Sequence, residues 1–266
     1  MTAHPATGPT APAAEPAPAA PGAGRADRRA IDAAYAAFGA APLLRRVHGP
    51  AYLNVGWHPA ADPPAALVDR LLAAAGDRPP AAVLDVACGR AASTARIAAR
   101  WPGAAVVGLD RSAALLPEPA PGRPPVVRAD AVALPVRSGS VDLVVAVEAA
   151  LHFPSRAAFL AAAARVLRPG GRLVLTDLLV DPAAPGWAPL VPAANAERTP
   201  AAYAAAVAAA GLAVERCADV TAHTWTPYAA ALTAAAAAES AATGAVVRTL
   251  LADRPVGAYL EVVARR

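Results

Sequence analysis

Small residues follow a strongly apolar segment in the sequence VLDVACGRA, which spans residues 83–91. Ala87, Gly89 and Ala91 occupy alternate positions there, and small residues at a strand-to-helix turn let a ligand approach the backbone closely. Asp110 ends the next apolar segment, 21 residues after Gly89. At about this separation, an acidic residue on a second strand reaches the two hydroxyls of a ribose. The spacing therefore predicts a site for a ligand that contains a ribose.

The acidic residues of this region also have an ordinary structural interpretation. Asp85 and Asp110 lie at the ends of apolar segments, and acids at strand ends often form turns or cap helices. The pair alone leaves both interpretations open. If Asp110 binds a ribose, its carboxylate excludes ligands that carry a 2′-phosphate.

The segments around this turn alternate between strand and helix patterns. Five strands are expected, at 82–86, 105–109, 125–128, 141–147 and 172–176. Helical stretches separate most of them, which is typical of an α/β fold with a parallel sheet covered on both faces. Two later strand patterns, at 212–221 and 256–264, are separated by Ala-rich helices. They indicate an antiparallel pair that closes the sheet.

Three helices are expected from their apolar spacing. One begins near Ile31 and continues through Tyr35, Phe38, Leu43 and Leu44. A second covers 63–75, with Ala66, Leu67, Leu71 and Leu72 on one face. The third covers 155–167, where Ser155 caps the start and Pro169-Gly170-Gly171 stops the helix.

Five short motifs of the central region occur in the order and at the spacing of one protein family. They are VLDVACGRA, VVGLD, Arg128-Ala129-Asp130-Ala131 with Leu134-Pro135, Ser140-Val141-Asp142-Leu143-Val144, and Leu167-Arg168-Pro169-Gly170-Gly171-Arg172-Leu173. In this combination the sequence resembles class I S-adenosylmethionine-dependent methyltransferases. The resemblance implies a Rossmann-like sheet of seven strands, an N-terminal helical lid and a helical insertion near the C-terminus, with S-adenosyl-L-methionine as cofactor.

An upstream segment extends the resemblance. Tyr52-Leu53-Asn54-Val55-Gly56-Trp57 is similar to a lid segment of small-molecule methyltransferases from natural-product pathways, which include sugar and polyketide O-methyltransferases. The resemblance then covers the chain from about Ile31 to its end. It divides residues 25–266 into lid helices at 25–80, a cofactor-binding core at 81–180, and a substrate cap with closing strands at 181–266. Residues 1–24, rich in Ala and Pro, are expected to be a disordered tail.

The resemblance implies a role for each matching residue of the cofactor site. Asp85 would orient the amino-acid portion of the cofactor, mostly through water or backbone, and Ala87 and Gly89 would let the backbone pass close to it. Asp110 would hold the ribose. The remaining expected contacts are Arg111 beside the adenine, Asp130 at its amino group, the backbone of Ala131 at a ring nitrogen, Glu148 near the methionine end, and Tyr52 and Asn54 from the lid. A surface turn remains the alternative for Asp130 and Glu148.

The first motif departs from the family at two positions, because Ala replaces Gly at 87 and 91. An Ala residue at a position that needs positive φ costs roughly 1 kcal/mol or more. Either the backbone there stays in an ordinary region, or the cofactor sits slightly differently.

Methyl transfer to a hydroxyl benefits from a base, and two residues after the central strands are candidates. His152 lies after the fourth strand, where related O-methyltransferases often carry a histidine, and the ordinary pKa of histidine suits a general base. Asp177, placed directly after the fifth strand, would orient His152 or bind the acceptor hydroxyl. The alternatives are a residue that only covers the cofactor for His152 and a turn residue for Asp177.

Aromatic residues gather in the later part of a chain that has few of them. Trp187, Trp225 and Tyr228 are expected to form an apolar wall for the acceptor, with His223 beside them, although aromatics also fill helix interfaces. His48 and His58 flank the lid segment and are expected at the surface.

Composition excludes several function classes. All 24 basic residues are Arg, so Schiff-base catalysis and a Lys-dependent phosphate loop are excluded. The Arg residues are scattered, which argues against nucleic-acid binding, and no apolar run is long enough to span a membrane. Two Cys residues and no zinc spacing predict no zinc or multi-Cys site, and nothing in the sequence demands the magnesium that some O-methyltransferases of this type require. A cytoplasmic protein without a signal peptide is expected, and a homodimer remains open.

The leading interpretation is O-methylation of a specialised metabolite. Two alternatives stay open: a C- or N-methyltransferase on the same scaffold, and a protein that keeps the fold but catalyses cyclisation or only binds. A nicotinamide dehydrogenase is disfavoured, because the turn lacks a full G-x-G-x-x-G pattern.

Overall fold

The computed structural model describes residues 31, 33, 41–184, 186–252 and 254–266. The expected tail at 1–24 and most of the first expected helix, including Tyr35 and Phe38, lie outside these residues.

A seven-stranded sheet forms the centre of the described structure, with the strand order β3-β2-β1-β4-β5-β7-β6. Strands β1 to β5 run parallel, whereas β7 is antiparallel to both of its neighbours, β5 and β6. The strands are β1 Ala82–Val86, β2 Ala105–Asp110, β3 Val126–Arg128, β4 Val141–Val147, β5 Leu167–Val180, β6 Ala213–Asp219 and β7 Val256–Arg265. The predicted fold class is confirmed, including the antiparallel pair that closes the sheet.

Strand β5 is longer than expected and corrects one prediction. It continues past the expected end at residue 176 to Val180, because the apolar residues after Asp177 pair with β7. Asp177 therefore lies inside a buried strand rather than in a loop after it.

Seven α-helices surround the sheet in the described part of the chain. They are α1 Pro42–His48, α2 Pro63–Ala74, α3 Ala92–Arg100, α4 Arg156–Val166, α5 Pro200–Ala209, α6 Trp225–Ala236 and α7 Ala241–Leu251. Short 3₁₀ turns at Ala150–His152 and Thr221–His223 follow β4 and β6. Helices α6 and α7 are the expected insertion near the C-terminus.

Local signals set the helix ends. Asp62 caps α2 by accepting from the backbone N–H of Ala65. The buried face of α2 includes Ala65 and Val68, whereas Ala66 is only half-buried, so its predicted position was wrong. Ser155 caps α4 as predicted, since its Oγ accepts from the N–H of Ala158.

Alternate residues of the strands pack into clusters on opposite faces of the sheet. Val83 and Val145 pack against α2 and α3, whereas Leu84 and Val144 pack on the side of α4 and α5. A third cluster joins α1, α6 and α7 beyond the ends of the central strands. No helix in the described ranges is long and apolar enough to cross a membrane.

The strand order reverses direction between β1 and β4, and this reversal positions a site. The chain leaves β1 toward β2 on one side, and later continues from β4 toward β5 on the other. In open parallel sheets such a point leaves a crevice at the carboxyl ends of the strands, where ligands bind. The turn after β1 and the segment after β4 meet there.

Candidate active site

An open cavity of about 1000 Å³ lies at this crevice. Nine of the expected cofactor residues line it, namely Tyr52, Asn54, Ala87, Gly89, Asp110, Arg111, Asp130, Ala131 and Glu148. His152 lines it as well. Residues that are scattered from the lid to the fourth strand are thus brought to one place.

Asp85 is the exception, because it lies behind the turn instead of in the cavity wall. Its buried carboxylate accepts hydrogen bonds from the hydroxyls of Ser93 at 2.7 Å and Thr94 at 2.6 Å. Burial raises the pKa of Asp85 to about 6. Asp85 therefore fastens the first turn of α3 to β1 and supports the cavity from behind.

Asp110 joins the end of β2 to the turn after β1. Its Oδ2 accepts from the backbone N–H of Gly89 at 2.9 Å, and its Oδ1 accepts from the N–H of Ser112 at 2.8 Å. Burial raises the pKa of this carboxyl group. Each carboxylate oxygen has two acceptor sites, so both can accept a further hydroxyl. This geometry suits a pair of neighbouring hydroxyls.

The turn between β1 and α3 is strained at both alanines. The φ angles are 59° at Ala87 and 61° at Ala91, in the left-handed region that favours glycine. The first of the two alternatives raised by these substitutions is therefore wrong, because the backbone does adopt the unfavourable conformation. Such a residue costs about 1–2 kcal/mol, and strain of this kind concentrates at ligand sites.

Asn54 brings an unsatisfied polar atom to the cavity. Its side chain is only 6% exposed, and no donor in the described part of the chain reaches its Oδ1. A buried carbonyl oxygen without a partner costs about 1–3 kcal/mol. A ligand that donates a hydrogen bond at this wall would remove that cost.

Glu148 follows β4 in a left-handed conformation, with φ of 53°. Its Oε2 accepts from the N–H of Val55 in the lid at 2.9 Å and from the hydroxyl of Tyr259 at 2.8 Å. Burial raises the pKa of Glu148 to about 8. A strained residue with a desolvated carboxyl group at a cavity wall is a recognised mark of a functional site.

A second cavity of about 860 Å³ adjoins the first. Its wall is mainly apolar, with Leu44, Leu178, Trp187, Leu190, Trp225, Tyr228 and Leu232 among the lining residues. The two cavities share Tyr52, Leu53, Arg90, Glu148 and His152. A ligand in either cavity therefore contacts the wall of the other.

His152 stands in this shared wall with a defined tautomer. Its Nδ1 lies 2.7 Å from the carbonyl oxygen of Leu190. Because a carbonyl can only accept, Nδ1 carries the proton and Nε2 is the accepting atom of the neutral ring. Burial lowers the pKa of His152 from 6.5 to about 4, so the ring is neutral at neutral pH.

The structure corrects the expected role of Asp177. The residue is fully buried and lies outside the walls that the described residues form around the two cavities. Its Oδ2 accepts from Nε of Arg156 at 2.7 Å and from Tyr203, and its Oδ1 accepts from the N–H of Leu151 at 2.8 Å. Asp177 thus holds the turn that carries His152, without access to an acceptor.

The expected aromatic wall is present, but His223 is not part of it. Trp187, Trp225 and Tyr228 line the second cavity. His223 is exposed, and its ring stacks on Trp57 with 4.8 Å between the ring centroids. The strand before it ends at Asp219, and the following 3₁₀ turn directs the ring to the outer side of the lid.

His48 was expected at the surface, and that expectation was wrong. The residue is half-buried and lines the second cavity. Its Nδ1 lies 2.7 Å from the carbonyl oxygen of Asn54, and its Nε2 lies 2.8 Å from the hydroxyl of Tyr228. The one signal in the sequence was its closeness to the lid motif.

Over the described residues, no group of His, Cys, Asp and Glu could hold a metal ion.

Comparison with known proteins identifies the central region. A family model described as a methyltransferase domain matches residues 84–175. Residues 84–175 form a methyltransferase domain. This stretch runs from β1 into β5 and includes the turn after β1, Asp110 and Glu148, so the methyltransferase resemblance of the motifs is confirmed over these residues.

Individual relatives agree with this methyltransferase domain. The chain is 38% identical over 127 residues to nocamycin O-methyltransferase from Saccharothrix syringae, an alignment that covers 45% of each chain. The chain spans less than half the length of the curated relatives it matches.

Solved structures share the fold over most of the chain. Geranyl diphosphate C-methyltransferase from Streptomyces coelicolor A3(2), in complex with Mg²⁺, geranyl diphosphate and S-adenosyl-L-homocysteine, has a TM-score of 0.66 at 18% identity and covers 94% of this chain and all of its own. The 4+2 cyclase SpnF has a TM-score of 0.67 at 18% identity, with 89% of this chain and 96% of that chain covered. At such identities the likeness concerns the fold alone.

Proposed function

We propose that this protein transfers a methyl group from S-adenosyl-L-methionine to a small-molecule acceptor, and that the methylated atom is a hydroxyl oxygen of a specialised metabolite. The observation that carries the proposal is the shared wall of the two cavities. One cavity contains the family's cofactor motifs, the other is apolar, and Glu148 and His152 face both. Two ligands bound in these cavities would meet at that wall.

The residues of the first cavity fit the cofactor. Asp110 would hold the ribose hydroxyls, since both its oxygens retain acceptor capacity. The unsatisfied Oδ1 of Asn54 would accept from the ammonium group of the amino-acid portion. Asp130 and the backbone of Ala131 would bind the adenine, with Arg111 beside it. When bound, S-adenosyl-L-methionine supplies a methyl group on a positively charged sulfonium.

The residues of the chain would align the acceptor with the cofactor and accept the proton of the acceptor hydroxyl. The lid segment closes over the shared wall and is fastened to it by the hydrogen bond from Val55 to Glu148. Alignment of two reactants is the main requirement of a displacement reaction. His152 would accept the proton of the acceptor hydroxyl at Nε2, because its Nδ1 is already committed to Leu190.

Two alternatives remain beside O-methylation. Methyl transfer to carbon or nitrogen would use the same two cavities, and it would need less help from a base at His152. A cyclase that does not methylate is favoured by one observation, namely the shared fold with the cyclase SpnF. A fold can host several chemistries, so the reaction must be tested directly.

A labelled-methyl assay tests the proposal. The full chain is incubated with S-adenosylmethionine that carries a labelled methyl group and with a panel of polyketides, glycosides, phenols and amines. We expect label in an acceptor as an alkali-stable ether, with stoichiometric S-adenosylhomocysteine. Label on carbon or nitrogen would support the first alternative. Binding of S-adenosylhomocysteine without methylated product over the whole panel would support the second.

We further propose a cytoplasmic protein whose partner is a small molecule rather than nucleic acid. Cys88 and Cys217 are both free thiols, as in a reducing compartment. Light scattering of the purified chain tests the open question of a homodimer.

A further inference from the structure

Two polar side chains in the wall of the mainly apolar second cavity are hydrogen-bonded to each other, and the proposed reaction uses neither. His48, at the end of α1, and Tyr228, in α6, both line this cavity. The Nε2 of His48 lies 2.8 Å from the hydroxyl oxygen of Tyr228. Tyr228 is 6% exposed, so its hydroxyl has few possible partners other than His48 and a ligand.

The direction of each hydrogen bond in this pair follows from its neighbour. Nδ1 of His48 lies 2.7 Å from the carbonyl oxygen of Asn54, which can only accept, so Nδ1 carries the proton. Burial lowers the pKa of His48, so the ring is neutral and Nε2 is an acceptor. The Tyr228 hydroxyl therefore donates to Nε2. Its oxygen is left with acceptor capacity and no proton to donate.

We infer that the His48–Tyr228 pair is a subsite that binds a hydroxyl or N–H group of the acceptor. The inference rests on the proposed function, because it assumes that the second cavity takes the acceptor. It assigns the acceptor to mainly apolar molecules that carry a hydrogen-bond donor in addition to the methylated group. A carbonyl or ether oxygen at that position would face the Tyr228 oxygen without a proton between them.

A purely structural role predicts something different. The pair also connects α1 to α6, so its loss could loosen the wall and weaken every ligand alike. A subsite instead discriminates between ligands of the same skeleton. The decisive quantity is therefore the ratio of two affinities, which a general loosening leaves unchanged.

The probes are 2-naphthol, which can donate, and 2-methoxynaphthalene, whose oxygen can only accept. Their affinities for the full chain, saturated with S-adenosylhomocysteine, are measured by calorimetry at neutral pH. The quantity compared is the affinity for 2-naphthol divided by the affinity for 2-methoxynaphthalene. We expect this ratio to be about five-fold larger in the wild type than in Tyr228→Phe, which is the size of one neutral hydrogen bond. Leu251→Ala, which removes an apolar side chain from the wall of the same cavity and no hydrogen-bonding group, is the matched control and should keep the preference.

A second variant keeps the test decisive if Tyr228→Phe fails to fold. His48→Phe removes Nε2 and frees the Tyr228 proton, so 2-methoxynaphthalene should gain and the preference should shrink. The inference is overturned if the preference for 2-naphthol is unchanged in both variants. It is also overturned if the wild type shows no preference for 2-naphthol or binds neither compound. Failure of the wild type to bind S-adenosylhomocysteine would instead contradict the proposed function. The ratio of the affinities for 2-naphthol and 2-methoxynaphthalene would then be measured without S-adenosylhomocysteine.

Discussion

The backbone N–H of Gly89 donates a hydrogen bond to Oδ2 of Asp110 over 2.9 Å, and this bond joins the first two motifs of the domain. The carboxylate therefore has two tasks: it shapes the turn after β1, and its remaining acceptor sites face the cavity. An Ala substitution at this position removes both.

Asp110→Ala should weaken the binding of S-adenosylhomocysteine by about 1.5–3 kcal/mol, the range for hydrogen bonds to a charged group. Calorimetric titration of the purified chain measures this change. Glu118→Ala, which removes an exposed acid outside the cavity, is the control and should bind as the wild type does. An unchanged affinity in Asp110→Ala would exclude Asp110 from the ribose site.

Ala91→Gly should stabilise the protein, because φ of 61° costs Ala more than Gly. Relief of about 1–2 kcal/mol, less about 0.4–1 kcal/mol for the greater freedom of Gly in the unfolded chain, leaves a gain of up to about 1.6 kcal/mol. Ala95→Gly, in the interior of α3, should instead lose about 1 kcal/mol. Denaturant unfolding of both variants measures the change in the free energy of unfolding and its sign. A lower free energy of unfolding in Ala91→Gly would contradict the strain at Ala91.

His152→Ala should lower kcat by about 10²–10⁴-fold, the usual contribution of a general base, with cofactor affinity close to that of the wild type. The acceptor is the one found in the labelled-methyl assay. Because burial lowers the pKa of His152 to about 4, its neutral form is present throughout the neutral range, and the rate should show no step near 6.5. Equal losses of cofactor binding and turnover would mean that His152 only covers the cofactor.

Glu148→Gln should change how stability depends on pH. A carboxyl group whose pKa is about 8 in the folded state and 4.5 as its ordinary value takes up a proton on folding between these values. The free energy of unfolding of the wild type should therefore fall, relative to Glu148→Gln, as the pH rises from about 5 to about 8. Urea unfolding of both proteins at the two pH values measures the difference, and a constant gap would rule out the raised pKa.

Asp177→Asn should destabilise the fold by about 1.5–3 kcal/mol, the range for hydrogen bonds to a charged group, because the buried guanidinium of Arg156 then keeps only its second carboxylate partner, Glu197 at 3.0 Å. Thermal and urea unfolding measure the loss. Asp181→Asn is the control, since Asp181 pairs with Arg198 at 3.5 Å at an exposed position and should cost at most about 1 kcal/mol. A stable Asp177→Asn variant with lost turnover would restore the catalytic role first expected for Asp177.

The sequence predicted the sheet, and it predicted which residues meet at the first cavity, because both depend on local signals. Gly89 of the first motif and Asp110 belong to one strand–helix–strand unit, whose geometry is regular. Strands β1 and β4 have the predicted bounds for the same reason, since each is a short apolar run between turns.

The contacts of the second cavity could not be read from the sequence in this way. His48 and Tyr228 are separated by 180 residues in the sequence, and no local sequence pattern predicts a contact between residues so far apart. Asp177 was misplaced because an apolar run of three further residues looks the same in a strand as in a loop. His223 was misplaced because a single 3₁₀ turn decides which way its ring points.

The lid segment physically connects the walls of the two cavities. Asn54 lines the first cavity with its side chain, and its carbonyl oxygen accepts from His48, which lines the second. A ligand that orders this segment from one side lowers the entropic cost of ordering it from the other. Such coupling is reciprocal, so under the proposed function any factor by which the cofactor strengthens acceptor binding equals the factor by which the acceptor strengthens cofactor binding.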